Sequence, residues 1–169
     1  MPLLSALSVA VNANLSSALD LTTAAAPLAA RSSTAWSSGT GVGQADRVFS
    51  DRRTLNASAS EDLDLAGVLL DAFGQAITFV RIKGLYIKAA DANVNNVVIG
   101  NATSNAWAAL LGATGTLALR PGAALGLATG TADPTGYAVT AGTGDILKVG
   151  NSGAGTAVTY DIVIIGASA

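Results

Sequence analysis

The sequence predicts an all-β protein: a β-sandwich of jelly-roll type preceded by a strand-bearing N-terminal arm. Apolar and polar residues alternate with a period of two along many short segments, which is typical of half-buried strands. Clusters of Gly, Pro, Asn and Ser separate these segments and predict turns. No segment combines helical periodicity with capping residues. Eight or more strands in 169 residues favour a double-sheet sandwich.

The first 44 residues are predicted to form the arm, and residues 45–169 the sandwich. The arm segment contains only two charged side chains, Asp20 and Arg31. Its odd positions from 3 to 15 are mostly apolar, which predicts a half-buried strand. Pro27 interrupts the Ala-rich stretch 24–30 and argues against a helix there.

The sandwich strands are predicted to recur at short spacing from Val48 onward. They are expected at 61–65, 77–88, 94–99, 106–111, 116–120, 123–128, 137–140, 146–149 and 157–165. Turns are expected at 121–122, 133–136, 142–144 and 151–155, where Gly, Pro, Asn and Asp cluster.

The strand predicted at 77–88 changes the parity of its apolar face. Val80 and Ile82 belong to one alternation, and Leu85 and Ile87 belong to an alternation shifted by one residue. A glycine at such a shift is typical of a β-bulge, so a bulge is predicted at Lys83–Gly84.

The last predicted strand is apolar on both faces, with Ile162 and Ile164 opposite Val163 and Ile165. Such a strand is covered on both sides. We expect the core on one side and another subunit on the other.

Composition excludes several kinds of chemistry. The chain contains no cysteine and no histidine, so it has no thiolate nucleophile, no zinc–thiolate site and no Ser-His-Asp triad. The catalytic or metal-binding arrangements that the composition still allows are a Ser-Lys pair, a carboxylate pair and an all-oxygen metal site. Nine basic and eleven acidic residues give no electrostatic signature of nucleic-acid binding. No apolar run approaches the length of a membrane-spanning helix.

Two short motifs receive structural interpretations. Glu61, Asp62, Asp64 and Asp71 could supply oxygen ligands to calcium, but their spacing matches no calcium loop, and alternation with leucines predicts a solvated strand face. The stretch 39–43 (GTGVG) lacks the lysine of a phosphate-binding loop and is predicted to be a flexible linker. We therefore expect no enzyme activity, no cofactor and no metal.

The candidate partner-binding residues are Trp36, Arg47, Arg52 and Arg53. The three arginines form a charge-dense segment that either protects an edge strand or docks on an acidic partner surface. Tryptophan is enriched at interface hot spots, so Trp36 is a candidate anchor, with core or subunit-interface filling as the alternative. Trp107, between two alanines, is predicted to fill the core or a subunit interface.

Five stretches resemble a group of small structural proteins of tailed bacteriophages and prophages. They are VFSDRRTL (48–55), EDLDLAG (61–67), RPG (120–122), GYAVTAG (136–142) and DILKVGNSGAGTAVTYDIVIIG (145–166). The resemblance covers most of the chain after residue 44.

By analogy with phage accessory proteins of this size, the resemblance implies a capsid cement or decoration protein. Such proteins are usually β-rich trimers on the outer face of the major capsid shell. The implied partners are the major capsid protein and further copies of this chain. The implied location is the virion, after synthesis in the host cytoplasm, and no catalytic residue is implied. The alternatives are a receptor- or glycan-binding module of the tail, and a hydrolase using Ser-Lys or paired acids.

Overall fold

A computed structural model of the protein describes residues 2–169, which form twelve strands and one short helix. The strands are β1 (Ser5–Ala18), β2 (Thr23–Ser38), β3 (Gln44–Ala45), β4 (Arg47–Leu55), β5 (Ser60–Asp64), β6 (Arg81–Ala89), β7 (Val97–Gly100), β8 (Thr116–Leu119), β9 (Ala124–Ala128), β10 (Tyr137–Ala138), β11 (Ile146–Asn151) and β12 (Val158–Ala167). The helix, α1, spans Ala108–Leu111.

Two antiparallel sheets form the sandwich, as the sequence predicts. In the larger sheet β4, β12 and β6 lie side by side, and β9 and β10 pair with successive parts of the other side of β6. The smaller sheet has the order β5-β11-β7-β8. The pairing is nested, because the first strand of the sandwich (β4) pairs with the last (β12), and β5 pairs with β11.

The core lies between the two sheets. Alternate residues of the central strand β12, among them Ile162 and Ile164, are fully buried on one face. Leu63 and Val149 of the smaller sheet belong to the same cluster of buried residues. Full burial of one such side chain contributes about 1.5–3 kcal/mol. The alternation predicted at 61–65 is confirmed, since Leu63 and Leu65 are buried and Asp62 is exposed.

The arm is a long antiparallel hairpin of β1 and β2. Its pairing runs from Ser5 opposite Trp36 to Ala18 opposite Thr23. At about 3.4 Å per residue, β1 is roughly 45 Å long. The predicted strand is confirmed, but the prediction that it is half-buried is wrong: residues 8–33 are all exposed. The alternation marks one apolar face, and the hairpin carries that face beyond the edge of the sandwich.

The predicted bulge in β6 is confirmed. Ile165 of β12 lies opposite Gly84, and the next residue of β12, Gly166, lies opposite Ile82. Lys83 is therefore the extra residue, without a partner in β12. The bulge lets Ile82 and Leu85 both face the core although three positions separate them.

The prediction of a strand at 106–111 is wrong. Trp107 is buried in the core, and the four residues after it, AALL, form the helical turn α1, which ends at Gly112 with a φ of 75°. Alanine and leucine have high helix propensity, and one turn is too short to show helical periodicity in a sequence.

The strand predicted at 77–88 begins later than expected, at Arg81. Ile77 and Phe79 are each 1% exposed, but their backbone N–H groups bond to the carbonyls of Leu69 and Leu65 outside any regular strand. This segment therefore packs in the core as an extended connection.

The second face of β12 is covered in part by the chain's own arm. Ile165 packs with Trp36 and Ala45, and Val163 is half-buried beside them. The second subunit predicted to cover this face is therefore not required at Ile165.

Lys83→Met is expected to raise the free energy of unfolding at pH 7 by about 1 kcal/mol, because desolvation of the ammonium costs more than its hydrogen bond to the Asp133 carbonyl, 3.2 Å long, contributes. Burial lowers the pKa of Lys83, so the unfolded chain binds this proton more tightly than the folded chain does. The stability of the wild-type protein should consequently rise with pH from that lowered pKa up to the ordinary value of 10.5.

Denaturant unfolding at a series of pH values measures both effects. The variant should lack the alkaline rise. A variant that is less stable than the wild type at pH 7 would contradict the interpretation of Lys83 as a buried charge that costs stability.

Candidate functional site

The root of the arm is held to the sandwich by close approach to two glycines. A Cβ atom at Gly126 of β9 would lie 3.3 Å from Val9 and 3.8 Å from Leu7. A Cβ atom at Gly84 would lie 3.1 Å from the ring of Trp36. The absence of side chains at these positions lets the ribbon lie directly on the sheet.

Beyond the root, the same face of the ribbon continues without cover. We call it the apolar arm face; it comprises Val11, Ala13, Leu15, Ala26, Leu28 and Ala30, and cross-strand pairing places these residues on one side. Val11 is 55% exposed, Leu15 79% and Leu28 57%. At the tip, Leu21 is 99% exposed.

The opposite face of the arm is small and polar. Ser8 and Ser33 share a hydrogen bond of 2.7 Å, and Arg31 donates to the hydroxyl of Ser8 at 3.4 Å. Asp20, at the tip, is the other charged side chain of the arm. The ribbon is thus amphipathic, and its apolar arm face is suited to an apolar protein surface rather than to a charged ligand.

The three arginines predicted to dock on a partner do not form one basic patch. Arg52 pairs with Asp161 at 2.6 Å, and Arg47 pairs with Asp46 at 3.0 Å. Arg53, next to Arg52, projects from the other face of β4, as neighbouring strand residues do. Of the three, only Arg52, with 74% of its side chain exposed, is largely open to solvent.

Arg53 belongs to a network that joins the two sheets. Its Nη2 lies 2.6 Å from Glu61 of the smaller sheet, and its Nη1 lies 2.8 Å from Asp51. The Tyr160 hydroxyl donates to the other oxygen of Glu61 at 2.6 Å. Burial and then this hydrogen bond raise the pKa of Tyr160, so its hydroxyl stays protonated and continues to donate. The arrangement is a structural tie between the sheets.

The two tryptophans are both buried. Trp36 is 2% exposed and packs against the chain's own sandwich, in agreement with the core-filling alternative. Trp107 is 5% exposed, belongs to the core and donates from Nε1 to the carbonyl of Ala138 at 2.8 Å. The core interpretation of Trp107 is confirmed, and Trp36 fixes the arm.

Three of the four acidic residues considered as calcium ligands contact the backbone or the network above, and the fourth, Asp62, is exposed. Asp64 accepts a hydrogen bond from the N–H of Ala66, and Asp71 accepts from Phe73 and Gln75. Within residues 2–169 no group of three or more metal-binding side chains comes together.

Sequence reasoning missed an exposed apolar loop before β6. Val68 is 75% exposed, Leu70 53% and Phe73 70%. Phe73 lines a groove of about 520 Å³ together with Leu3 and Arg47. The sequence signal is a run of apolar residues that lacks alternation and ends at Gly74.

The two neighbouring arginines provide a matched test of the network. We expect Arg53→Met to lower the free energy of unfolding by about 2–3 kcal/mol, because Glu61 would lose its cation in a mostly buried position. Arg52→Met should cost much less, because its pair with Asp161 is exposed to solvent. Denaturant unfolding of both variants measures the difference, and equal losses would contradict the assignment.

No helix within residues 2–169 is long and apolar enough to cross a membrane. Comparison of the chain with protein-family models, with curated protein sequences and with solved structures gave no match.

Proposed function

We propose that this protein is a bacteriophage virion structural protein that acts as a capsid cement, with the apolar arm face laid on the outer surface of the major capsid shell. The observation that carries the proposal is the ribbon of residues 8–33, which is exposed throughout and apolar on one face. The sequence resemblance to small phage structural proteins supports the same role.

The arm would stabilise a shell by covering apolar surface across neighbouring capsid subunits. The projecting part of the ribbon, about 30 Å long and 10 Å wide, offers roughly 300 Å² on its apolar face. Burial of that area contributes about 7 kcal/mol at 25 cal/mol per Å². Association itself costs about 4–15 kcal/mol in lost freedom of motion, so one arm alone would bind weakly.

Several arms in one assembly would overcome that weakness. Once one arm is bound, the others bind from a high effective concentration. We therefore propose that the protein acts as a closed homo-oligomer, with a trimer as the form that the resemblance favours. Its proposed partners are the major capsid protein and its own copies.

The proposed sandwich topology is a jelly roll. Without the two-residue strand β10, the sandwich has eight strands in two sheets of four. In chain order, the first strand (β4) pairs with the eighth (β12), and the second (β5) pairs with the seventh (β11). The third strand, β6, adjoins the last, and the fourth, β7, adjoins β11. This nested order supports the two Greek keys of a jelly roll.

One observation favours a second candidate function, a receptor- or glycan-binding module of the tail. Phe73 is exposed at the edge of the 520 Å³ groove, where Arg47, Asp71 and Gln75 supply polar groups. An exposed aromatic ring beside such polar groups is suited to a sugar.

Shortening the arm should separate attachment from folding. In the variant, residues 10–31 are replaced by Asn-Gly, which joins Val9 to Ser32, a cross-strand pair of the same hydrogen-bonded type as Leu19 and Thr22 at the natural turn. We expect the melting temperature of the sandwich to change little, because the removed residues are exposed. Binding to purified capsids lacking this protein should fall about tenfold or more, measured by co-sedimentation. Unchanged binding would contradict a role for the arm.

The number of copies per virion distinguishes the two candidate functions. A cement protein should be present in numbers comparable to the major capsid protein, because shell sites repeat with the capsid symmetry. Quantitative mass spectrometry of purified virions measures this ratio. A few copies per particle, located at the tail tip by imaging, would contradict the cement proposal and favour the tail module.

A further inference from the structure

The outer edge of β1 has free backbone groups along its whole length. At the tip, the N–H of Leu19 donates to the carbonyl of Thr22 at 2.7 Å, so this pair is hydrogen-bonded. Hydrogen-bonded and non-hydrogen-bonded pairs alternate along an antiparallel ladder. The odd residues of β1 therefore bond to β2, and the even residues from Ala6 to Ala18 point their N–H and C=O groups outward. Within residues 2–169, β1 pairs with β2 alone.

The position of Pro27 agrees with this assignment. Pro27 lies opposite Asn14, an even residue, so its missing N–H would face the outer edge of β2. Proline is tolerated in a strand at this kind of position. The edge of β2 is thus protected against strand addition by a proline near its middle.

β1 differs from the charged edge strands β4 and β5 in carrying no such protection, and from the uncharged edge strands β8 and β9 in its length, because those have only four and five residues. Its fourteen residues include no charged side chain and no proline. The edge strand β4 contains Arg47, Asp51, Arg52 and Arg53, and the edge strand β5 contains three carboxylates. A long uncharged edge is a template for pairing with another strand.

The sequence of β1 is self-complementary in antiparallel pairing. With Val11 opposite Val11 of a second copy, Leu7 lies opposite Leu15 and Val9 lies opposite Ala13. On the other face the small and polar residues coincide: Ser8 with Asn14 and Ala10 with Asn12. Apolar side chains therefore meet apolar ones, and polar side chains meet small or polar ones, along the whole strand.

We propose that β1 is a self-association edge, at which two copies of this chain pair antiparallel about a two-fold axis through Val11. The product is a four-stranded sheet of β2, β1 and their counterparts in the second copy, with about a dozen new backbone hydrogen bonds. The dimer uses the unprotected β1 edge of each copy, and each remaining outer edge, that of β2, contains Pro27. The contact consequently closes at two copies instead of propagating as a fibre.

The pairing is independent of the proposed role at the capsid. It joins two arms whatever surface the apolar arm face covers, because both apolar faces lie on the same side of the new sheet. If the chain has no other self-association, pairing of the β1 edges produces a dimer. If the chain also forms trimers, the same pairing links one trimer to another.

A cysteine at position 11 tests the register directly, because the chain contains no other cysteine. The Cα atoms of a non-hydrogen-bonded pair lie about 4.5 Å apart, within the range of a disulfide. Val11→Cys should therefore give a disulfide-linked dimer as the main product of mild oxidation, seen on a non-reducing gel.

Ala30→Cys is the matched control. Ala30 lies on the same face, directly across from Val11 in β2. In the proposed dimer its thiol would be about 14 Å from its counterpart, because two strand spacings are added. Ala30→Cys should stay largely monomeric under the same oxidation. Equal cross-linking of the two variants, or none in either, would overturn the proposal.

A pair of proline substitutions tests the edge in the otherwise unaltered chain. Asn12→Pro removes an outward N–H at the centre of the proposed contact, and Ala29→Pro does the same at the outer edge of β2. Asn12→Pro should halve the mass of the assembled species in sedimentation equilibrium, whereas Ala29→Pro should leave it unchanged. The two variants should have similar circular dichroism and melting temperature. Equal masses for both variants would overturn the proposal.

Discussion

A two-stranded ribbon has no interior, and this constraint governs the part of the molecule outside the sandwich. Whatever apolar side chains β1 and β2 carry on residues 8–33, the ribbon itself cannot remove them from water. The sandwich differs, because its two sheets enclose side chains such as Ile162 and Val149 completely. The chain therefore divides its apolar residues between a core that stabilises the fold and an arm that is completed only by another surface.

The attachment of the arm depends on a local irregularity in the larger sheet. Because Lys83 is inserted as a bulge, Ile82 and Leu85 both face the core and Gly84 faces outward. The ring of Trp36 lies on Gly84, at a distance that a larger residue would not allow without displacement. A few closely packed residues thus hold one end of a ribbon about 45 Å long, and the remainder is free to contact a partner.

Much of the fold could be predicted from local pattern, and the rest depends on contacts distant in sequence. Alternation identified strands such as β5, and the change of parity identified the bulge at Lys83–Gly84. Alternation predicts that one face of β1 is apolar, but it does not predict whether another part of the protein covers that face. The ion-pair partners of the arginines could not be predicted from local pattern either, because Arg52 pairs with a residue 109 positions away in the sequence. The sequence predicted an arm suited to partners, but the burial of Trp36 follows only from the folded structure.

The distribution of charge then limits how partners can be chosen. In the sandwich, four of the eight cations and five of the ten carboxylates form ion pairs within the chain, as in the contact of Arg53 with Glu61. The arm, with Asp20 and Arg31 alone, has little field with which to steer a charged partner. Recognition by the arm must rest on apolar shape and on backbone hydrogen bonds, so its affinity should depend weakly on salt. Contacts of this kind are individually modest and become stable by repetition. A shell with many equivalent sites, and arms joined to one another, would supply that repetition.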